Sequence, residues 1–310
     1  MVRRSKIFCE GWLLLTLLLV GSAVSQGQTL AITFDDLPAH SSLPVGTTRL
    51  EIAQKVIGAL KAAGVPATYG FVNGKRFEDE PAGVQGVLEA WRNAGNPLGN
   101  HTWSHMDLGK KTLEAWEADV LKNEPVLEKY SRPGDDWHWL RFPFLAEGDT
   151  PEKRSNARDF LQKHGYRIAA VTMSFGDYAW NEPYARCVAK GDAAAVASLE
   201  KSYLQVARED IVYRRALARA ALGHEIPFVL LMHIGAMDAQ LLPHLLEIYK
   251  AAGFRFVSLQ EAEHDPFYAN DVHLDLPGEP DTLEAAAHAR DVKDWPKHAG
   301  LPEELNTVCR

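Results

Sequence analysis

Seven short apolar runs, each separated from the next by a stretch with helical spacing, limit what this chain can fold into more than any other feature. The runs fall at residues 30–38, 67–72, 97–99, 139–142, 167–172, 228–232 and 254–257. Between the first two, Thr47 or Thr48 caps a helix whose apolar positions Leu50, Ala53, Val56, Ile57 and Leu60 repeat at helical intervals, closed by Gly64 and Pro66. Further helices are predicted near 81–94 and over 112–129, 152–164, 192–222 and 239–252. Strict alternation of this kind means βαβ units and a parallel sheet, and seven of them point to a closed or nearly closed barrel more than to an open sheet. With 310 residues, 46% of them hydrophobic, the chain can bury one large core. After Leu259 the Pro, Asp and His content, with one helical stretch near 282–290, predicts a tail wrapping the barrel and not a second domain.

Barrels and doubly wound sheets carry their chemistry at the C-terminal ends of the strands, so the residues there matter most. The first run ends in Asp35-Asp36. Two adjacent carboxylates repel unless a cation holds both ionised, so the pair asks for a metal, an arginine, or both. The third run leads into Gly99-Asn100-His101-Thr102-Trp103-Ser104-His105, and four-residue spacing places His101 and His105 on one face of a helical turn. Joined to a strand-end carboxylate they make an Asp-His-His set with open positions, as in a catalytic zinc or similar divalent site. Arg141-Phe142-Pro143-Phe144 ends the fourth run, Asp177-Tyr178-Ala179-Trp180 follows the fifth, and Leu231-Met232-His233 ends the sixth. An arginine on this rim can fix a carboxylate, and an aspartate beside His233 would keep that ring protonated as a general acid.

These five segments, in this order over residues 30 to about 260, resemble the polysaccharide deacetylases of the NodB-homology type, carbohydrate esterase family four. The resemblance implies a distorted (β/α)7 barrel in a single domain over 26–260, followed by a C-terminal tail over 261–310, and metal-dependent hydrolysis of N-acetyl groups on a polysaccharide or oligosaccharide. It implies Asp35 as general base oriented by Arg141, and Asp36, His101 and His105 as ligands of a divalent ion, zinc first, with cobalt, manganese or nickel as alternatives. His233 would be the general acid, steadied by Asp177. Trp180 and Leu231 would shape the pocket for the acetyl methyl, and the Phe144 backbone N–H would support the oxyanion. Leu37 stands where glycine is common in this family, and Phe144 where tyrosine is. Leu37 and the long helical insertion between Trp180 and Phe228 are expected to alter the groove walls. Hydrolysis of another small amide or an O-acetyl ester, or a non-catalytic carbohydrate-binding role, are the alternative readings.

The N-terminus bears on compartment. Arg3, Arg4 and Lys6 precede an apolar stretch over 12–20, and Ala23-Val24-Ser25 offers a small-residue cleavage site, so residues 1–25 read as a secretory signal peptide. The apolar stretch is shorter than the roughly 20 residues that span a bilayer. An exported protein, periplasmic or secreted, without stable membrane insertion after cleavage, is expected. Three basic residues and one acidic leave with the signal, moving the formal charge from -8 to -10, which argues against non-specific nucleic-acid binding. Cys187 and Cys309 are then the two cysteines left, and an oxidising compartment predicts their pairing, with Cys187 expected in a loop on the catalytic rim.

Overall fold

The computed structural model describes residues 28–276, 282–295, 297–298 and 300–310, so the predicted signal peptide lies outside the described residues. The first half of the chain runs β1 (Thr29–Leu37), α1 (Arg49–Ala63), β2 (Gly70–Val72), α2 (Pro81–Asn93), β3 (Leu98–Asn100), α3 (Leu113–Tyr130), β4 (Trp139–Leu140), α4 (Pro151–Lys163) and β5 (Arg167–Ile168). Two helices in succession follow, α5 (Asn181–Lys190) and α6 (Ala193–Leu222), then β6 (Phe228–His233), α7 (Ala236–Ala251) and β7 (Arg255–Val257). Local signals place the boundaries: Thr48 and Glu51 form a reciprocal capping box at the start of α1, and Gly64, at φ 70°, closes it in a left-handed cap.

β1 is the centre of the sheet because it is apolar on both faces. Leu30, Ala31, Ile32 and Phe34 are all buried, as befits a parallel strand covered on both sides. It pairs with β6 in unbroken register from Leu30–Phe228 to Asp35–His233. Its other edge is shared, β7 lying beside residues 29–31 and β2 joining near Phe34 and Leu37. All pairings are parallel, in the order β5-β4-β3-β2-β1-β6 with β7 against β1. Close approach of β2 to β3 depends on Gly99, where a Cβ would lie 2.4 Å from the Phe71 ring.

Between β5 and β6 the sheet curls without pairing strand to strand. The run predicted over 167–172 yields a two-residue strand, for a physical reason. The Arg141 guanidinium donates to the carbonyls of Ala169 (2.7 Å) and Ala170 (3.4 Å), and the Glu263 carboxylate takes the Ala170 N–H (2.8 Å), so these groups are lost to a ladder. The chain then crosses to β6, where the Thr172 and Met173 N–H groups donate to the Val229 carbonyl at 3.1 and 3.0 Å. A single parallel bridge, Met173 to Leu230, joins the two sides of the curl.

The segment after β7 forms α8 (Leu259–Ala262), α9 (Ala269–Val272) and α10 (Leu283–Ala289) and packs on the barrel. Asp271 meets the buried Arg158 of α4 at 2.6 Å, and Glu284 of α10 meets Arg214 of α6 at 2.5 Å. At its end Cys309 is bonded to Cys187, with Cα atoms 5.1 Å apart. Cys187 lies buried within α5 and not in a rim loop. The backbone continues from Asp177 through a helical turn into α5, so the rim is left before the cysteine is reached. A link across a separation of 122 residues restricts the unfolded chain strongly. Cys187→Ser is expected to lower unfolding free energy by about 2 to 4 kcal/mol, read from denaturant midpoints. An unchanged midpoint, or two free thiols in the denatured unreduced wild type, would show that the bond does not form.

Candidate active site

Asp35 and Asp36 lie at the end of β1, where the strand delivers one carboxylate inward and the other to the cleft. Asp35 is 2% exposed, and its Oδ1 accepts from Arg141 Nη1 at 3.1 Å. Arg141, itself buried, is fixed by four further contacts: Ala169 O, Ala170 O, the Thr33 hydroxyl at 3.0 Å, and the Phe71 ring 4.8 Å from it. Its carboxylate partner therefore has one orientation. Asp36 turns the other way because its backbone is left-handed, φ 64°, a conformation that costs a non-glycine residue energy and that the surrounding structure has to hold.

The histidines arrive on a loop and not on the helical turn that their spacing suggests. Thr102 and His105 have φ of 59° and 57°, which no helix allows. Side chains both near and remote in sequence hold this path. Asn73 Nδ2 donates to the carbonyl of His101 at 2.6 Å, Asn100 Oδ1 accepts the Thr102 N–H at 2.9 Å, and Asp119 Oδ2 accepts the Ser104 N–H at 2.8 Å. The two rings nevertheless converge, with centroids 4.9 Å apart. His101 Nε2 and His105 Nε2 each lie 3.5 Å from Asp36 Oδ1.

Three observations bear on whether this set suits a metal. Donor atoms of Asp36, His101 and His105 all lie within 4.8 Å of one another. Asp36 Oδ1 is buried and has no hydrogen-bond partner among the described residues, a state that normally costs energy unless something else meets the oxygen. Finally, His101 Nδ1 lies 2.7 Å from the Arg141 carbonyl; a carbonyl only accepts, so Nδ1 carries the proton and Nε2 presents its lone pair to the triad. The residues fit a divalent ion. Electrostatics agree: burial, then the neighbouring His101, pull the His105 pKa down to about 4, leaving a neutral ligand. For Asp36 burial opposes ionisation, but His101, His233, His105 and His40 outweigh it and hold the carboxyl below its usual range.

Across the cleft, β6 ends in His233, directly opposite Asp35 in the register. Asp177 clasps it twice, Oδ1 at 3.0 Å from Nδ1 and Oδ2 accepting the backbone N–H at 2.5 Å. Burial works against a charged ring, yet Asp177, then Asp36 and Asp35, raise its pKa to about 10. Nδ1 is thereby committed as the donor to Asp177.

Leu231 and Phe144 line the cleft with these groups. Phe144 is 64% exposed, its ring 4.5 Å from His105. Trp180 does not line it. That side chain is fully buried, its indole N–H donates to the Ser202 hydroxyl at 2.9 Å, and it packs on Tyr203. The half-exposed Tyr178 stands at the cleft instead, 5.3 Å from the His233 ring. The insertion over 181–227 contributes no residue to the cleft wall, since α5 and α6 pack behind the barrel. Sequence reasoning missed His40, whose Nε2 lies 3.7 Å from Asp36 Oδ2 and whose ring is 5.0 Å from His233. Its place four residues beyond Asp36 was the available signal.

The family described as polysaccharide deacetylase is matched over residues 23–169. The peptidoglycan-N-acetylglucosamine deacetylase of Bacillus cereus is 31% identical over 100 residues, 32% of this chain and 31% of that protein, so the chain matches under a third of that relative's length. Among solved structures, T48 deacetylase with substrate superposes with a TM-score of 0.51 at 18% identity, covering 83% of this chain and 96% of that one. The chitin deacetylase of the fungal pathogen Colletotrichum lindemuthianum gives a TM-score of 0.51 at 17% identity, over 77% of this chain and 88% of its own. These two likenesses show the fold. The sequence match runs from the aspartate strand through the histidine loop to the arginine strand, and over that stretch the chain is similar to the polysaccharide deacetylases.

Proposed function

We propose that this protein is a divalent-metal-dependent deacetylase, acting after export, that hydrolyses N-acetyl groups of an amino-sugar polysaccharide or oligosaccharide. The observation that carries this reading is the opposition of Asp35 and His233 across adjacent strands, one held by an arginine and the other by an aspartate. Asp36, His101 and His105 would hold the ion, zinc first among the candidates. When bound, a divalent ion at such a site supplies a Lewis acid for the acyl oxygen and lowers the pKa of water.

Everything else in the reaction falls to the chain. Asp35, oriented by Arg141, accepts the proton of the attacking water. His233, protonated and fixed by Asp177, gives a proton to the amine as the carbon–nitrogen bond breaks, so acid and base are separate groups and neither has to be recharged by the other within the step. Leu231 and the Phe144 turn border the space for the acetyl group.

Acetate release from N-acetylated chitooligosaccharides and from O-acetylated xylan, with and without added divalent metal, tests the reading. Metal-dependent release from the first supports it; release from xylan alone, or none from either, overturns it.

The His233–Asp177 pair makes a pH prediction. Because its pKa is raised, His233 stays protonated through neutral pH, and its contribution as an acid is lost only on the alkaline side. Asp177→Asn removes the strongest of the groups that raise it and leaves Asp36 and Asp35 to work against burial, which lowers it. The alkaline limb of kcat should therefore move down by at least about one pH unit, with activity best preserved at low pH. An unmoved limb would show that another group is the acid.

A further inference from the structure

The cleft described above, about 340 Å³, adjoins a second concavity of about 440 Å³, a size typical of small-molecule sites. Asp36, His40 and His105 line both, so a group seated in the second lies beside the candidate metal triad. Its outer wall is the helical turn Gly74–Glu78, which presents Lys75 and Arg76. Both are exposed, and neither side chain makes a hydrogen bond or ion pair with any described residue. The carboxylates around them are engaged elsewhere: Glu78 meets Lys122 at 3.2 Å, and Glu80 meets Arg49 at 2.8 Å. Asp79 alone faces the lobe from this turn as an anion. Asp36, the other carboxylate on its wall, is the residue whose charge the proposed ion would offset. Trp103 lines the same lobe, its ring packed closely against Gly74 and overlain by Lys122 Nζ at 4.4 Å.

We propose that this lobe is a subsite for an acidic sugar, taking the carboxylate of a uronate-type residue next to the N-acetylated one. The inference rests on the deacetylase reading for where the acetylated sugar sits. Arg76 supplies a planar fork that matches a carboxylate in two parallel hydrogen bonds, and Lys75 adds a point charge beside it. Neutral polymers such as chitin would leave both cations without a partner, so they discriminate between substrates by charge.

The test measures binding by calorimetry to the zinc-loaded Asp35→Asn protein, which removes turnover. One ligand is a tetrasaccharide alternating N-acetylglucosamine and glucuronic acid; the other is its carboxyl-reduced counterpart, with the same linkages and no charge. The acidic ligand should bind about tenfold more tightly, as two partly exposed ion pairs allow. In the Lys75→Gln/Arg76→Gln variant that ratio should fall to about one. Equal affinities in the parent, a preference that survives the double variant, or no binding of either ligand overturns the inference. Acetate release by the wild type from the neutral ligand is scored separately. Release without acid preference leaves the deacetylase reading standing and removes the subsite; an acid preference dependent on Arg76 without release does the reverse.

Discussion

His101→Ala is expected to lose the divalent ion and with it all measurable deacetylation. The ring supplies one of three donors, and its Nδ1 donates to the Arg141 carbonyl, so Nε2 is the nitrogen turned to the triad. Substitutions that touch only the partners of a ligand typically weaken metal binding about 10- to 100-fold, so deleting a ligand outright should exceed about 100-fold. His101 is also buried, and its loss leaves a cavity and an unpaired carbonyl, which together cost about 1 to 3 kcal/mol of stability. For that reason His105→Ala is the companion variant. Its side chain is 30% exposed, so it should fold normally and still lose the ion. Equilibrium dialysis with metal analysis reads both. Full stoichiometry in either variant would remove that histidine from the ligand set.

Asp35→Asn should keep the ion and lose turnover. Asparagine has the same shape and an oxygen for Arg141, but no capacity to accept a proton, so kcat should fall by about 10²- to 10⁴-fold with KM little changed. Arg141 loses its charged partner yet keeps its contacts to Ala169, Ala170 and the Thr33 hydroxyl. Some loss of stability follows, because a buried cation has lost its counter-charge, and activity is therefore compared at equal folded fraction. A near wild-type kcat would mean that a different carboxylate is the base.

The ion should be retained in the second variant and lost in the first, and that difference would separate the two roles. A protein that merely binds carbohydrate on this fold would show neither effect on acetate release. It would, however, still bind the acidic tetrasaccharide if Lys75 and Arg76 act as inferred, so the subsite and the chemistry can be judged apart.

The sequence by itself determined the order of strands and helices, because each element must bury a face against the sheet and that requirement writes its period into the chain. It also determined that Asp35, Asp36, Arg141 and His233 come at strand ends, since each directly follows or closes an apolar run. What it did not contain is the path of the backbone between elements. Asp36, Thr102, His105 and Phe144 all take left-handed conformations without being glycine; the loop that carries Thr102 is held by Asn73 and Asp119 from other segments as well as by the neighbouring Asn100, so no local pattern alone marks it. The same holds for the fifth strand, cut short when the Arg141 guanidinium captures the Ala169 and Ala170 carbonyls. Trp180 looked like a pocket residue because it ends a motif, but Ser202 and Tyr203 of α6 draw it into the core. His40, Tyr178 and the Lys75–Arg76 wall reach the cleft only because loops from three strand ends fold over one rim. Periodicity reports which face of an element is buried; which side chains meet across a cleft is decided by long-range packing, and only the tertiary structure holds that.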